Sequence, residues 1–388
     1  MKTIPVTQEP RIRLHGRYDR SGGRFWMDFT GSGIEFYFRG LRADIQLTTE
    51  TAGKDQWVLF EVDGTPAIRI PLLQGTSLYT IVDSHCSDQD SALVSAALRH
   101  IRVYKESQAH TGIADASTSC DLIQIDGELC DLPARKRIEC IGDSITSGEG
   151  ALSPAALDIG STVNIEEWTS SYYSWSGYLS RMLDVDVQVV SQGGWGVHCG
   201  WNNDIHMNIP SIYSRICGLI AEPFASARGA SKEYDFSFDP DVVIVNLGTN
   251  DQGAFHQPPW SDPNDGKQYK MHRVDEDANP ISSLYMKEDW SVFRDGVVDF
   301  VRTLAAKNPK AHILWIYGMM GSGLWGAIES AKRILREEGY TRFDAVLLPS
   351  ACPDEYGANS HPLKSFHEKT AALVAEIVKP YFFEKLVP

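Results

Sequence analysis

No stretch of this sequence approaches the roughly 20 consecutive apolar residues that a membrane-spanning helix needs. The amino terminus, Met1-Lys2-Thr3-Ile4-Pro5-Val6-Thr7-Gln8, also lacks the apolar core of a secretion signal. The expectation is therefore a cytoplasmic protein with no membrane partner. Basic runs able to wrap a polyanion are missing too: the formal net charge is −15 over 388 residues, which argues against nucleic acid as a partner. A neutral substrate, or one held by uncharged contacts, fits better. Close cysteine pairs are equally scarce. The seven cysteines are an odd number, Cys120, Cys130 and Cys140 are widely spaced, and no zinc knuckle is formed, so they read as reduced, mostly buried thiols. Neither half contains an internal repeat or a low-complexity tract.

What is present is the composition of a soluble globular protein, 43% hydrophobic and 22% charged. At about 150 residues per domain its length suggests two domains, at most three. Two kinds of periodicity divide the chain. In the first, Phe25, Met27 and Phe29 alternate with Trp26 and Asp28, and Ile34, Phe36 and Phe38 alternate with Glu35, Tyr37 and Arg39. Strands are expected again at 43–47, 57–62, 67–70 and 100–104, with Asp63-Gly64 as a hairpin turn. The run 92–98 suits either a short helix or a strand, and residues 122–125 suit one more strand bridging the two halves. This half reads as an all-β sandwich of jelly-roll type covering residues 1–132.

From 133 to 388 the pattern changes to short apolar runs at 138–141, 185–190, 242–245, 313–316 and 345–348. They alternate with helical stretches at 173–183, 292–304, 324–335 and 366–378. Phe293, Val297, Phe300 and Leu304 form a stripe that would cover one face of a sheet. The expected fold class is therefore α/β, a three-layer domain with a central parallel sheet, preceded by the β-sandwich.

Three of the expected strands run into unusual residues: Gly142-Asp143-Ser144, then Ser191-Gln192-Gly193-Gly194-Trp195-Gly196, then Asn246-Leu247-Gly248-Thr249-Asn250-Asp251. In a parallel sheet these ends share one rim, where such folds keep their active sites. Ser144 suits two roles there, a nucleophile or a helix N-cap. Glycines at 193, 194 and 196 let a backbone N–H approach a ligand closely, and Asn250 offers a carboxamide. Asn359-Ser360-His361-Pro362 precedes the last helix, so His361 can reach the same rim as a general base. His198 and His206 are nearby candidates for substrate contact.

These four blocks, in this order, resemble the signature of the SGNH hydrolases, the GDSL esterase and lipase superfamily, from residue 138 to the C-terminus. The leading β-sandwich makes the chain similar to carbohydrate esterase family 2, whose members remove acetyl groups from sugars. Met207 and Pro210 within 203–213, and His367 six positions after His361, agree with that family. The resemblance implies Ser144 as nucleophile, His361 as base, and an oxyanion site made by the backbone N–H groups of Ser144 and Gly194 and the side chain of Asn250. It implies no metal and no organic cofactor. The implied activity is O-deacetylation of xylo- or manno-oligosaccharides, imported ones in view of the amino terminus. A lipase, thioesterase or short-chain acyl esterase of the same superfamily is the near alternative. A non-catalytic carbohydrate-binding protein is the distant one.

One position departs from the pattern. The superfamily usually carries an aspartate two or three residues before the histidine, where this chain has Ala358 and Asn359. Asn359, Asp354 or Glu355 folding back, or a backbone carbonyl in a serine-histidine dyad, are the open choices for orienting the ring. Trp195, Trp201, Trp260 and Trp315 are the aromatic candidates near the rim for stacking on sugar. The polar insertion at 256–280 should form a loop beside the cleft. The sandwich either binds sugar through residues such as Trp26 and Tyr37 or serves as scaffold. Oligomeric state stays open.

Overall fold

The computed structural model describes residues 1–84, 97–109, 116–155, 165–272 and 287–382. The chain divides into two compact units.

The first comprises Met1–Arg135 together with two later segments, Ser161–Tyr172 and Arg215–Tyr234. Its strands are β1 (Lys2–Pro5), β2 (Ile12–His15), β3 (Phe25–Trp26), β4 (Gly33–Arg39), β5 (Arg42–Glu50), β6 (Trp57–Val62), β7 (Thr65–Pro71), β8 (Gly75–Asp83), β9 (Leu98–Lys105), β10 (Ser117–Ile125) and β11 (Glu128–Cys130). They form two antiparallel sheets, ordered β1-β10-β5-β8 with β3 on β10, and β11-β4-β9-β6-β7 with β2 on β4. Period-two alternation drives the sandwich. Ile34, Phe36 and Phe38 of one sheet meet Ile45, Leu47, Ile123 and Ile125 of the other in a single apolar core. Asp63 and Gly64 both take positive φ, 53° and 78°, the signature of the two-residue turn that closes β6 on β7.

Two expectations change here. Residues 122–125 do not bridge the halves: they belong to β10, which pairs with β5 and β1 inside the sandwich. Phe25, Met27 and Phe29 are all buried, but only Phe25 and Trp26 are strand. Strand β8 escaped notice because Leu78 and Tyr79 put apolar groups on both phases of its alternation, and Leu78 is 49% exposed. Most of the 92–98 run lies outside the described residues. Trp26 and Tyr37 already have partners within this unit: the guanidinium groups of Arg24 and Arg228 lie over the Trp26 ring, and Tyr37 stacks on His100. The later segments are tied in by polar contacts. Arg69 donates to the carbonyls of Glu166 (2.8 Å) and Thr169 (2.7 Å), and buried Glu106 accepts from Ser171 and Tyr172.

The second unit comprises Lys136–Gly160, Tyr173–Ser214 and Asp235–Pro388. In chain order it contains β12 (Arg137–Gly142), α1 (Ser144–Ser147), α2 (Trp175–Leu183), β13 (Asp186–Ser191), β14 (Val242–Asn246), α3 (Thr249–Ala254), the two-residue strands β15 (Trp260–Ser261) and β16 (Gln268–Tyr269), α4 (Lys287–Lys307), β17 (His312–Tyr317), α5 (Trp325–Glu337), β18 (Phe343–Leu347) and α6 (Lys364–Val378). The five long strands form one parallel sheet ordered β13-β12-β14-β17-β18. That is the doubly wound arrangement, in which the chain reverses direction across the sheet next to its first strand.

Helices cover both faces. α2 packs with α6, and Trp175, Leu179, Phe366 and Val374 bury Ile138, Cys140, Ile244 and Leu314. On the opposite side α4 packs with α5 and touches β17, and its stripe of Phe293, Val297, Phe300 and Leu304 is fully buried, as the spacing predicts. The insertion after α3 carries the β15–β16 ribbon, and residues 273–280 lie outside the described residues. Among the described residues no helix is long and apolar enough to cross a membrane.

Removing a large ring from the α4 stripe leaves a cavity that the sheet cannot close. Phe300→Ala should destabilise the second unit by about 3–5 kcal/mol, read as a lower urea midpoint in tryptophan-fluorescence unfolding.

Candidate functional site

Pairing within the sheet sets the site. Gly142, the last residue of β12, lies opposite Ser191 of β13 on one side and Asn246 of β14 on the other. The three polar blocks therefore leave adjacent strands at one level, with the serine strand in the middle.

Just past β12 the chain turns into the short helix α1. Its N-cap is Asp143, whose Oδ1 accepts from the Ile145 N–H at 3.0 Å. Capping thus falls to the aspartate and leaves the Ser144 hydroxyl available. His361 Nε2 lies 2.7 Å from Ser144 Oγ. The N–H groups of Ser144 and Gly194 donate to no described group, so both are available at the rim.

Gly194 holds φ at +80°, and a Cβ there would stand 3.1 Å from Trp201 Cδ1. Its loop is pinned from the third strand. Buried Asp251 accepts from the N–H groups of Val197 (2.9 Å), His198 (2.8 Å) and Cys199 (3.3 Å). Asn250 Nδ2 donates to the Trp195 carbonyl (2.9 Å) and to Asp143 Oδ2 (3.2 Å), which links all three blocks. Asp143 is wholly buried, and burial, reinforced by Asp251 and Glu149, pushes its pKa up to about 7.

On the histidine side, neither Asn359 nor Asp354 meets the ring. Both side chains are exposed, and Asn359 sits at φ +51°. Glu355 is committed elsewhere, accepting from the Cys352 N–H and from Lys369. Among the described residues, the carboxylate within ion-pair reach of His361 Nδ1 is Glu149, with Oε1 at 3.8 Å. Glu149 follows Ser144 by five residues, on a segment where the superfamily pattern directs no attention.

That segment also holds the histidine loop. Ser153 Oγ accepts from the Ala358 N–H (2.6 Å), and the Ala151 carbonyl accepts from the Lys364 N–H (2.9 Å). Gly150 comes so close to the histidine that a Cβ on it would lie 2.8 Å from His361 Cβ. His367 supports the same region from inside. Its Nδ1 accepts from the Trp175 N–H at 3.2 Å, and burial pushes its pKa down to about 3, so it stays neutral.

The aromatic candidates separate by exposure. Trp315 is fully buried and donates to the Leu247 carbonyl, which removes it from the rim. Trp195 is 9% exposed, whereas Trp201, beside Gly194, is 48% exposed. Trp260 packs with Tyr269 and His206 on the β15–β16 ribbon. His206 pairs with Asp262, and His198 is partly buried.

A serine and a histidine in contact at the carboxyl rim of this sheet, after an antiparallel sandwich, give the fold of the SGNH hydrolases in its family 2 carbohydrate esterase form. The chain belongs to the GDSL-like Lipase/Acylhydrolase family, whose model matches residues 140–347, more than half of the sequence. The acetyl xylan esterase Est2A from the rumen bacterium Butyrivibrio proteoclasticus is similar over 99% of both chains, with 30% identity and a TM-score of 0.89. A family two carbohydrate esterase from Clostridium thermocellum shares the fold at 21% identity and a TM-score of 0.71, over 96% of this chain and 99% of its own. The cellulase/esterase CelE of Acetivibrio thermocellus is 27% identical over 257 residues, 64% of this chain. The match spans only 27% of the length of CelE.

The raised pKa of Asp143 has a signed consequence. Because the folded state holds this proton above the ordinary carboxyl range, its contribution to stability is complete below about pH 4 and is lost as pH rises through about 7. Asp143→Asn abolishes that titration. Relative to the parent, the variant should therefore gain stability as pH rises from 4 to 8, by up to about 4 kcal/mol. Paired urea titrations across that range measure the difference, and a constant offset would contradict it.

Proposed function

We propose that this chain is a carbohydrate O-acetylesterase acting on acetylated xylo- or manno-oligosaccharides through a serine acetyl-enzyme. The observation that carries the reading is the 2.7 Å contact between Ser144 Oγ and His361 Nε2, beside two backbone N–H groups that donate to no described residue. Ser144 Oγ attacks the acetyl carbonyl carbon while its proton passes to His361 Nε2. The tetrahedral oxyanion is held by the N–H groups of Ser144 and Gly194. Asn250 joins them as third donor by giving up its longer contact, the 3.2 Å bond to Asp143. On collapse the sugar oxygen leaves with the proton returned by His361. Water, deprotonated by the same ring, then attacks the acetyl-enzyme, and as the acyl–Oγ bond breaks His361 returns that proton to Ser144 Oγ and acetate leaves.

Support for a sugar substrate comes from two directions. Est2A is described as an acetyl xylan esterase, and a Cellvibrio japonicus protein that is 31% identical over 122 residues is named acetylxylan esterase / glucomannan deacetylase. The chain covers 30% of that second protein's length. Independently, Trp201 presents an exposed indole face next to Gly194, suited to stacking on a sugar ring that carries the acetyl group.

Acetate release from acetylated xylo- and manno-oligosaccharides tests the reading, and activity confined to long-chain acyl esters would refute it. Ser144→Ala should abolish both hydrolysis and labelling by a fluorophosphonate probe. Asn250→Ala should lower kcat by about two orders of magnitude. Trp201→Ala should raise KM for acetylated oligosaccharide by about 3- to 10-fold, while leaving hydrolysis of p-nitrophenyl acetate near the parent level.

A further inference from the structure

We infer that Glu149, carried on the segment that follows the nucleophile, is the carboxylate that positions and charge-balances His361, in place of an acidic residue on the histidine's own loop. The inference rests on the Ser144–His361 part of the proposed function and is independent of which sugar is cleaved.

The first support is the tautomer. If Nε2 is to accept the Ser144 proton, the neutral ring must carry its hydrogen on Nδ1. Nδ1 is buried and has no hydrogen-bond partner among the described residues. A buried N–H without an acceptor is unfavourable, so the ring needs a group on that side. Glu149 Oε1 stands 3.8 Å from Nδ1, and the Glu149 side chain is itself only 13% exposed. An approach of about 1 Å makes it a charge-assisted hydrogen bond.

The second support is how the segment is built. The Glu149 N–H donates to the Ser144 carbonyl at 3.0 Å, which fixes its backbone to the nucleophile. One residue later Gly150 packs against His361 Cβ, and Ser153 and Ala151 receive the backbone of the histidine loop. Glu149 therefore sits in the part of the chain that touches both members of the pair. The competing side chains are exposed or engaged elsewhere: Asn359 and Asp354 are exposed, and Glu355 accepts from Lys369.

The charges around the ring assign the roles of the nearby carboxyls. Asp143 and Asp251 are both buried, and Asp143 is occupied by Ile145 and Asn250 while Asp251 is occupied by the 197–199 backbone. Glu149 alone of the three lies within 4 Å of the histidine among the described residues. As the proton arrives on Nε2, the ring becomes an imidazolium with Nδ1–H directed at that carboxylate.

The experiment uses the intact chain with p-nitrophenyl acetate, so the sugar reading can fail without affecting it. Glu149→Gln keeps size and removes charge; it should lower kcat by about 100-fold with KM changed less than about threefold. Glu149→Asp should recover activity to within about tenfold of the parent, because the charge returns on a shorter arm. As a measure independent of turnover, 15N-histidine NMR should show the Nδ1–H form of His361 in the parent and a mixture of tautomers in Glu149→Gln. Activity of Glu149→Gln within about threefold of the parent would overturn the inference. So would an Asp variant no better than the Gln variant, a loss confined to KM, or an unchanged tautomer.

Discussion

Everything at the rim depends on the level at which three parallel strands end. Gly142 is paired with Ser191 and Asn246 at once, so the serine, glycine and asparagine blocks begin from one line across the sheet. Parallel pairing is slanted and needs long crossovers, and with both faces covered by helices a one-residue slip would exchange the side chains packed under one layer for those packed under the other. The functional groups then need only two to four residues of turn to meet. Short turns have few conformations, and the Asp143 cap and the Asp251 anchor remove most of the freedom left.

The carboxylates of this site divide the structural work. Asp251 accepts three successive backbone N–H groups and thereby shapes the glycine loop. Asp143 caps α1 and receives Asn250, with a pKa near 7 that leaves it partly neutral at physiological pH. Three ionised carboxylates in so small a volume would repel one another strongly at low dielectric. Burial and the neighbouring carboxylates accordingly raise the pKa of Asp143, and burial raises that of Asp251 as well.

The long periodic elements were legible in the sequence because their physics is local. The five apolar runs became the five strands of the parallel sheet, and the 293–304 stripe became the buried face of α4. The serine, glycine, asparagine and histidine blocks were legible as a set because they end strands or begin helices at recognisable turns. Contacts between segments far apart in sequence were not. Nothing local marks Ser153 as the acceptor for Ala358, 205 residues away, or Glu149 as the carboxylate beside a histidine on another loop. The β10 strand was shortened for a related reason: Ser117-Thr118-Ser119-Cys120 has no alternation of its own, and antiparallel pairing with β5 is what makes it a strand. The tryptophans show the same limit, since sequence proximity to the rim did not separate buried Trp315 from exposed Trp201.

A proposed charge partner for His361 on the segment that follows Ser144 changes how the site is held together. With the partner on the histidine's own loop, that loop can orient its ring by itself. Here the loop reaches His361 through Asn359 and Ser360, both at positive φ, 51° and 58°. This region costs roughly 1–2 kcal/mol for a residue such as Ser360 and less for Asn359, whose short polar side chain tolerates it, so the loop is kept in shape partly by contacts outside itself. Those contacts are the Ser153 and Ala151 hydrogen bonds and the close approach of Gly150, all on the segment that starts at Ser144. Orientation of His361 and placement of Ser144 are then one structural problem with one solution. A disturbance anywhere in 148–153 acts on both partners of the 2.7 Å contact together.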